Sequence, residues 1–484
     1  MYNQEQVVDD IVMGDLVKQY PQLKKLIKTS SPHEIRGGVL SVLDTDRKLH
    51  TDYKKYYELN KKCNYGTYTD EIVNILREYV KVADVEREDF GEVMTPIKLV
   101  EEMLDTLPKE VWSNKDLKWL DPCNGVGTFP SVVVQRLMKG LEEVIPNAKK
   151  RYRHIIEEMI YVCEIQAKNM YIFHCVFDKQ DIYELNTFYG SFLTKEFDKH
   201  MTDVWGVDKF DIIIGNPPYN QMIDMDFVKK SYQISDKILF VHPSTWLLDE
   251  KNKQKKFTST KELIANDLES IVLFNGNGVF GISLHVPCVI TYINRNKKHN
   301  GVKCFDRINK CKLTYDSIYQ INKFGDNKTY PKLKDKILSI SSIKNLDIVV
   351  KQTQNERYFV NVAQIQGDTK FRDRTDIGMD VEMVSESYYT LCTKNTEVSE
   401  QPKQQPFSFK TKVEANNFLN YIKTNFCRFS LSIYKTNKNL HRGELASVPY
   451  LDFTQEWTDE RLYQEFNLTQ EEINFINTHI PKYY

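Results

Sequence analysis

The sequence lacks long apolar runs and paired cysteine motifs. No apolar run approaches the roughly 20 residues that a membrane-spanning helix requires, and the nine cysteines include no Cys-x-x-Cys pair. The first residues lack the charged and apolar segments of a secretory signal peptide. These absences argue against a membrane protein, a disulfide framework and a cysteine zinc site. We therefore expect a reduced, cytoplasmic protein without a metal.

An excess of charge of one sign is also missing. The formal net charge is −1, so the chain as a whole presents no field for a polyanion. Residues 301–350, however, hold ten Lys/Arg against five Asp/Glu, and residues 401–450 hold eight against two. Such zones suit contact with phosphates, although a solvated charged face is their commoner cause.

Short apolar runs alternate with amphipathic stretches between about residues 90 and 295. The runs are Leu117–Leu120, Ile160–Cys163, Phe210–Ile214, Ile238–Val241, Ile271–Phe274 and Val286–Ile293. This alternation predicts a mostly parallel α/β sheet. The connection between the last two runs is too short for a crossover helix, so these two strands should pair antiparallel. The residues before about 89 are predicted to be helical.

A glycine loop follows the first predicted strand. The strand ends at Asp121, and Gly125 and Gly127 allow a tight turn and a close approach of the backbone to a ligand. A carboxylate at the strand tip would repel a phosphate, and no Lys-Ser/Thr follows as in a P-loop. The acid instead suits a ligand that bears a cation, such as the ammonium and sulfonium groups of S-adenosylmethionine.

Two further acidic positions suit a nucleoside. Glu164 ends the next predicted strand, where a carboxylate can accept hydrogen bonds from ribose hydroxyls. Downstream, Asp181 could accept from the amino group of an adenine, with Ile182 packing on its ring. Asp178 is the alternative to Asp181.

The strongest motif is Asn216-Pro217-Pro218-Tyr219, which follows a buried apolar strand. Proline fixes φ, so the Pro217 carbonyl is held rigidly, and the Asn216 side chain offers a second neutral acceptor. Two acceptors that converge on one site match an exocyclic amine. Tyr219 adds a flat face for stacking on a base. The motif therefore predicts an amine held in line for transfer of a methyl group.

These motifs resemble the gamma-type N6-adenine DNA methyltransferases of restriction-modification systems. That family has an upstream motif ending in Thr-Pro, which resembles residues 90–96 here. The resemblance implies S-adenosylmethionine as cofactor and the class I methyltransferase fold, a mostly parallel seven-stranded sheet with an antiparallel hairpin. It implies a helical N-terminal segment (1–88), a catalytic domain (89–298) and a mixed α+β DNA target-recognition domain with a tail (299–484). The implied cofactor-binding residues are Met94, Thr95, Pro96, Asp121, Pro122, Asn124, Gly125, Gly127, Phe129, Glu164, Asp181, Ile182 and Asn216.

The resemblance also implies the substrate and the catalytic residues. A flipped-out adenine of double-stranded DNA would lie against Tyr219 and Phe280, and the tetrapeptide 216–219 would be catalytic. A separate restriction endonuclease is an implied partner. Two alternatives stay open: an N-methyltransferase acting on RNA adenine or a protein glutamine, and the methylase part of a restriction complex with a separate nuclease.

Overall fold

The computed structural model describes twelve stretches of the chain. They are 95–178, 182–248, 254–276, 279–280, 287–296, 300–326, 328–339, 345–346, 358–361, 398–399, 406–434 and 442–480. The predicted N-terminal segment, Met94 and Asp181 lie outside these residues.

A nine-stranded sheet forms the centre of the first region. Its strands are β1 (Trp119–Asp121), β2 (Ile160–Glu164), β3 (Asn186–Tyr189), β4 (Ile212–Gly215), β5 (Lys237–Pro243), β6 (Leu268–Asn275), β7 (Pro287–Asn294), β8 (Val302–Asp306) and β9 (Cys311–Tyr315). Their spatial order is β3-β2-β1-β4-β5-β7-β6-β8-β9. Strands β1 to β5 are parallel, and β7 is antiparallel to both of its neighbours. The predicted class I methyltransferase fold and its antiparallel hairpin are confirmed.

Two strands extend this sheet beyond the seven that were predicted. β8 pairs parallel to β6, and β9 returns antiparallel to β8. The domain boundary predicted at residue 298 falls just before these strands, whereas the sheet itself continues to Tyr315. Both strands are short and alternate buried with exposed positions, so their apolar signal is weaker than that of the central strands.

Thirteen α-helices of the described residues surround or follow the sheet. They are α1 (Ile97–Leu104), α2 (Thr128–Gly140), α3 (Ala148–His154), α4 (Ala167–Phe177), α5 (Lys195–Lys199), α6 (Ile223–Ile234), α7 (Thr245–Leu248), α8 (Lys255–Ile264), α9 (Thr329–Leu338), α10 (Lys412–Lys423), α11 (Asn425–Ser432), α12 (Asp459–Glu465) and α13 (Gln470–His479). Short 3-10 turns cover Lys109–Trp112, Asn220–Met222, Ile318–Gln320 and Arg442–Ser447, and π turns cover Ile155–Met159 and His200–Val204.

Each face of the sheet carries its own apolar core. Helices α1, α2 and α4 pack on one face, and α5 to α8 pack on the other. Because β4 is an Ile-Ile-Ile-Gly run covered on both faces, every one of its residues is buried. The helices therefore leave the ends of the central strands as the place where polar side chains can meet a ligand.

A second core lies C-terminal to the sheet. Residues between Phe324 and Ile480 build it from helices α9 to α13 and the aromatic side chains of Phe407 and Phe409. A small antiparallel sheet joins β10 (Tyr358–Asn361) to β11 (Val398–Ser399) and β12 (Pro406–Phe409). The ion pair of Lys336 with Glu472 (2.6 Å) ties the first helix of this unit to the last. No helix of the described residues is long and apolar enough to cross a membrane.

Candidate active site

The glycine loop connects β1 to α2. Gly127 has a φ of 90°, and a Cβ atom at this position would lie 2.8 Å from the Phe173 ring. Both the backbone and the space therefore require glycine. The Gly127 N–H donates to the Asn124 carbonyl (2.9 Å), which closes the turn immediately before the helix begins at Thr128.

Asp121 is buried at the tip of β1, with 2% of its surface exposed. Burial raises the pKa of its carboxyl to about 7, against the opposing effect of hydrogen bonds from Cys123. Its Oδ1 accepts from the Cys123 N–H (3.1 Å). Within the described part of the chain, Asp121 Oδ2 and Asn124 Oδ1 are buried acceptors without a hydrogen-bond partner. Unsatisfied buried acceptors are costly, and a ligand with N–H or O–H groups would satisfy them.

Glu164 at the tip of β2 fixes the glycine loop. Its Oε2 accepts from the Gly125 N–H (2.7 Å), and its Oε1 accepts from the Gln166 N–H (2.7 Å). The Asn124 N–H also donates to the Cys163 carbonyl (2.9 Å). Sequence reasoning gave Glu164 a ribose-binding role only. A carboxylate oxygen can accept more than one hydrogen bond, so the structural role leaves acceptor capacity for a ligand.

The tetrapeptide 216–219 begins where β4 ends, next to the glycine loop. A Cβ atom on Gly215 would lie 3.0 Å from Asp121 Oδ1 and 3.2 Å from Cys123 Sγ. The backbone of β4 at Gly215 therefore lies so close to the glycine loop that a larger residue would crowd Asp121 and Cys123. Pro217 is buried, and Asn216, Pro218 and Tyr219 are partly buried.

Two motifs far apart in the sequence meet at Asn216. Its Nδ2 donates to Thr95 Oγ1 (2.9 Å), and its Oδ1 accepts from the Tyr219 hydroxyl (2.6 Å). Burial raises the pKa of Tyr219 well above its ordinary value, so this hydroxyl keeps its proton and donates. The Asn216 carboxamide is thus held between two hydroxyl groups.

The backbone directly after Tyr219 is strained. Gln221 has a φ of 53° and Met222 a φ of 60°. The left-handed region costs residues other than glycine roughly 1–2 kcal/mol each. Strain of this kind is frequent at functional sites, because surrounding contacts must hold it in place.

Asp178 and Ile182 lie at the wrong edge of the sheet for the predicted adenine site. Helix α4 returns from the tip of β2, so its end lies where the strands begin. There the Asp178 carboxylate accepts from the Ile182 N–H (2.9 Å), and Arg153, which precedes β2, donates to the Ile182 carbonyl (3.4 Å). Contrary to the prediction, Ile182 is remote from the glycine loop. Asp181 lies outside the described residues.

The ends of β2 and β3 place two further residues, Ile165 and Ser191, at the candidate site that the sequence analysis does not include. The Gly190 N–H donates to the Glu164 carbonyl (2.9 Å), so the β3 tip, followed by Ser191, lies beside the β2 tip. Ile165, next to Glu164, is 49% exposed despite its apolar side chain. β3 is short and partly polar, so the apolar pattern does not indicate it as a strand, and the predicted third acidic position falls one segment too early. The signal that the sequence offers for this region is the apolar residue Ile165 directly after Glu164, the acid that ends β2.

Phe280 is part of the core rather than of an open pocket. It is 5% exposed and belongs to the same apolar core as residues of α1 and α2, with its ring centroid 6.3 Å from that of Phe274. This geometry does not present its ring to a base. The predicted stacking role would require Phe280 to leave the core.

The tips of β1, β2 and β4 therefore join a glycine loop, a buried acid and an asparagine carboxamide in one place. With this geometry, residues 74–244 match the family model of N-6 DNA methylases. Residues 74–244 are therefore similar to the N-6 DNA methylases. The matched segment begins ahead of the boundary predicted at residue 89 and includes Thr95, the glycine loop and Asn216.

Proteins similar to this chain occur among curated proteins and solved structures. An uncharacterized adenine-specific methylase of Mycoplasma pneumoniae is 26% identical over a region that covers 36% of this chain and 61% of the relative. A modification subunit of a putative type I restriction enzyme from Vibrio vulnificus is 18% identical, with a TM-score of 0.36. That match covers 50% of this chain and 52% of the Vibrio chain. The EcoKI M protein is 12% identical, covers 63% of this chain and 67% of its own, and has a TM-score of 0.34.

Proposed function

We propose that this protein transfers a methyl group from S-adenosylmethionine to the N6 amine of a flipped-out adenine in DNA. The observation that carries the proposal is the Asn216 carboxamide at the tip of β4. Its Oδ1 accepts a hydrogen bond at 2.6 Å from a neutral donor, the Tyr219 hydroxyl. An exocyclic amine is a neutral donor of the same kind and could take the same acceptor.

The residues around the glycine loop fit the proposed cofactor. Asp121 Oδ2 and Asn124 Oδ1 are buried acceptors that no described residue satisfies. A Cβ atom on Gly125 would meet nothing within 4 Å, so space is open beside the loop. Asp121 would hold the ammonium group, and Glu164 would accept from ribose hydroxyls. S-adenosylmethionine supplies an activated methyl group when bound.

The chain's own contribution to the reaction is orientation. Asn216 Oδ1 and the Pro217 carbonyl would accept from the two hydrogens of the amine and direct its lone pair at the methyl carbon. The N–C bond forms as the S–C bond breaks, and one amine proton passes to solvent. The amine of adenine is weakly basic, so transfer needs alignment rather than a strong base. Alignment alone can contribute roughly 7–11 kcal/mol in well-positioned systems.

The partners of the proposed activity are duplex DNA and a separate restriction endonuclease. The basic excess of residues 301–350 and 401–450 supports phosphate contact by the C-terminal region. Base flipping is part of the proposal, because an amine within a duplex cannot be aligned with a methyl donor. The proposed location is the cytoplasm.

A transfer assay with separate substrate pools tests this function. The protein is incubated with methyl-labelled S-adenosylmethionine and duplex DNA, RNA or protein extract. We expect label in DNA, and nucleoside analysis should yield N6-methyladenine. Label confined to RNA or protein would refute the DNA substrate, and N4-methylcytosine would refute the adenine.

A further inference from the structure

Thr95 has a role that the resemblance does not assign to it. The resemblance places Thr95 among the cofactor-binding residues, yet its hydroxyl lies 2.9 Å from Asn216 Nδ2. Thr95 is 7% exposed and is separated by Pro96 alone from α1, whose Leu99 and Val100 are buried in the sheet's core. The hydroxyl therefore sits on an anchored part of the chain.

We propose that Thr95 is a positioning residue for methyl transfer, which holds the Asn216 carboxamide with its oxygen toward the base. This inference rests on the proposed function. The carboxamide has one donor end and one acceptor end, and only the acceptor end can hold an amine. A hydroxyl can accept or donate, so Thr95 can accept from Nδ2 whenever Oδ1 is needed by a donor on the other side.

The hydrogen bond between Tyr219 and Asn216 indicates which end of the Asn216 carboxamide would face the base. In the structure, the Tyr219 hydroxyl donates to Oδ1. An incoming amine replaces one donor by another, so Nδ2 stays on the Thr95 side throughout. Without an acceptor at residue 95, Nδ2 loses its hydrogen bond to Thr95 at a partly buried site, and rotation of the carboxamide would present a donor to the amine.

Thr95→Val tests the role because valine keeps the shape and removes the acceptor. Thr95→Ser keeps the acceptor and serves as the rescue variant. Thr106→Val is the matched control, because the Thr106 hydroxyl donates only to the Met103 carbonyl (2.7 Å) near the end of the same helix. Each variant is measured for its dissociation constant for S-adenosylmethionine and for its single-turnover rate of transfer at saturating cofactor and DNA.

We expect Thr95→Val to lower the single-turnover rate roughly 10- to 100-fold, in line with the loss of one buried hydrogen bond. Its affinity for the cofactor should stay within about threefold, since the lost hydrogen bond is made to Asn216 rather than to the cofactor. Thr95→Ser should recover most of the rate, and Thr106→Val should resemble the wild type. Weaker cofactor binding with an unchanged rate at saturation would overturn the proposal and leave Thr95 as a cofactor contact.

A spectroscopic measurement separates this inference from the proposed function. With asparagine side chains labelled by nitrogen-15, the Asn216 carboxamide signal is identified by its loss in Asn216→Asp. We expect that signal to shift and its protons to exchange faster in Thr95→Val, but not in Thr95→Ser or Thr106→Val. An unchanged signal would overturn the inference. A wild-type protein that shows these signals but methylates no DNA would instead refute the proposed function alone.

Discussion

The glycine-loop half and the Asn216 half of the candidate site differ in whether their polar groups have hydrogen-bond partners. On the glycine-loop half, Asp121 and Asn124 hold buried oxygens that no described residue satisfies. On the Asn216 half, the carboxamide has a partner on each side, and the backbone that follows is strained. If the proposed function is correct, we expect the glycine-loop half to bind its ligand without rearrangement. We expect the Asn216 half to exchange a hydrogen-bond partner before it acts.

The largest effect on methyl transfer is expected at Asn216. Asn216→Ala removes the acceptor while the glycine loop stays intact, so we expect transfer to fall by a factor on the order of 10²–10³. The affinity for S-adenosylmethionine should change by only about threefold, because Asp121 and Glu164 remain in place. Single-turnover kinetics and equilibrium binding provide the two measurements. A variant with full transfer activity would refute the assigned role.

In the glycine-loop half, we expect Asp121 to contribute most to the affinity for S-adenosylmethionine. With its pKa at about 7, the carboxyl is mostly protonated at lower pH and binds a cation only after losing that proton. We expect the affinity for S-adenosylmethionine to rise about tenfold per pH unit between pH 5 and 6 and to level off above 7. Asp121→Asn should abolish this dependence and weaken binding roughly 10- to 100-fold at pH 7.5.

The control for this titration is Asp116→Asn, a change to an exposed carboxylate that precedes β1. Its binding curve should follow that of the wild type at every pH. A binding constant that does not vary with pH in the wild type would show that Asp121 does not exchange its proton for the ligand.

Tyr219 tests whether the Asn216 half must exchange a hydrogen-bond partner. Tyr219→Phe removes the hydroxyl that occupies Asn216 Oδ1 but keeps the ring for stacking. We expect the KM for DNA to fall up to about fivefold, the equivalent of about 1 kcal/mol for one hydrogen bond. Tyr219→Ala should raise KM, since stacking on a base is worth roughly 1–3 kcal/mol. Equal KM values for tyrosine and phenylalanine would mean that the hydroxyl does not compete with the base.

The smallest expected effect concerns the strained turn. Gln221→Gly should raise the free energy of unfolding by about 1 kcal/mol, because glycine adopts a positive φ without a steric penalty. Lys310→Gly, at a φ of 55° in the β8–β9 turn, is the matched control and should give a similar gain. Chemical denaturation measures both. We expect only Gln221→Gly to slow transfer, because only it loosens the backbone beside Tyr219.

The strongest elements of the fold were predictable from the sequence. The apolar runs of β1, β2 and β4 to β7 stand out because both of their faces are covered. β3, β8 and β9 were missed because they are short and partly polar. This omission has a chemical consequence, since the sequence predicts that Ile182 packs on an adenine ring, whereas the third strand tip is formed by the residues after Tyr189.

Within the candidate site, spacing predicted which residue types gather at the strand ends but not their contacts. Asp121 and Glu164 end strongly apolar strands and Asn216 follows one, so their common edge follows from parallel pairing. The contact of Thr95 with Asn216 spans 121 residues of sequence, and no local pattern encodes it. Phe280 shows that a local pattern can also suggest a role that the packing does not support, because an aromatic residue in a glycine-rich loop can equally be a core residue.

Gly215 also limits which substitutions the sequence can accept at the end of β4. Any side chain there would press on the Asp121 carboxylate and the Cys123 sulfur, at 3.0 and 3.2 Å from its first carbon. A larger residue at position 215 would therefore require the side chains of the glycine loop, about 94 positions earlier in the chain, to shift. The glycine loop and the tetrapeptide 216–219 are in this sense packed as a single unit. We expect a graft of either one into another chain to work less well than a graft of both together.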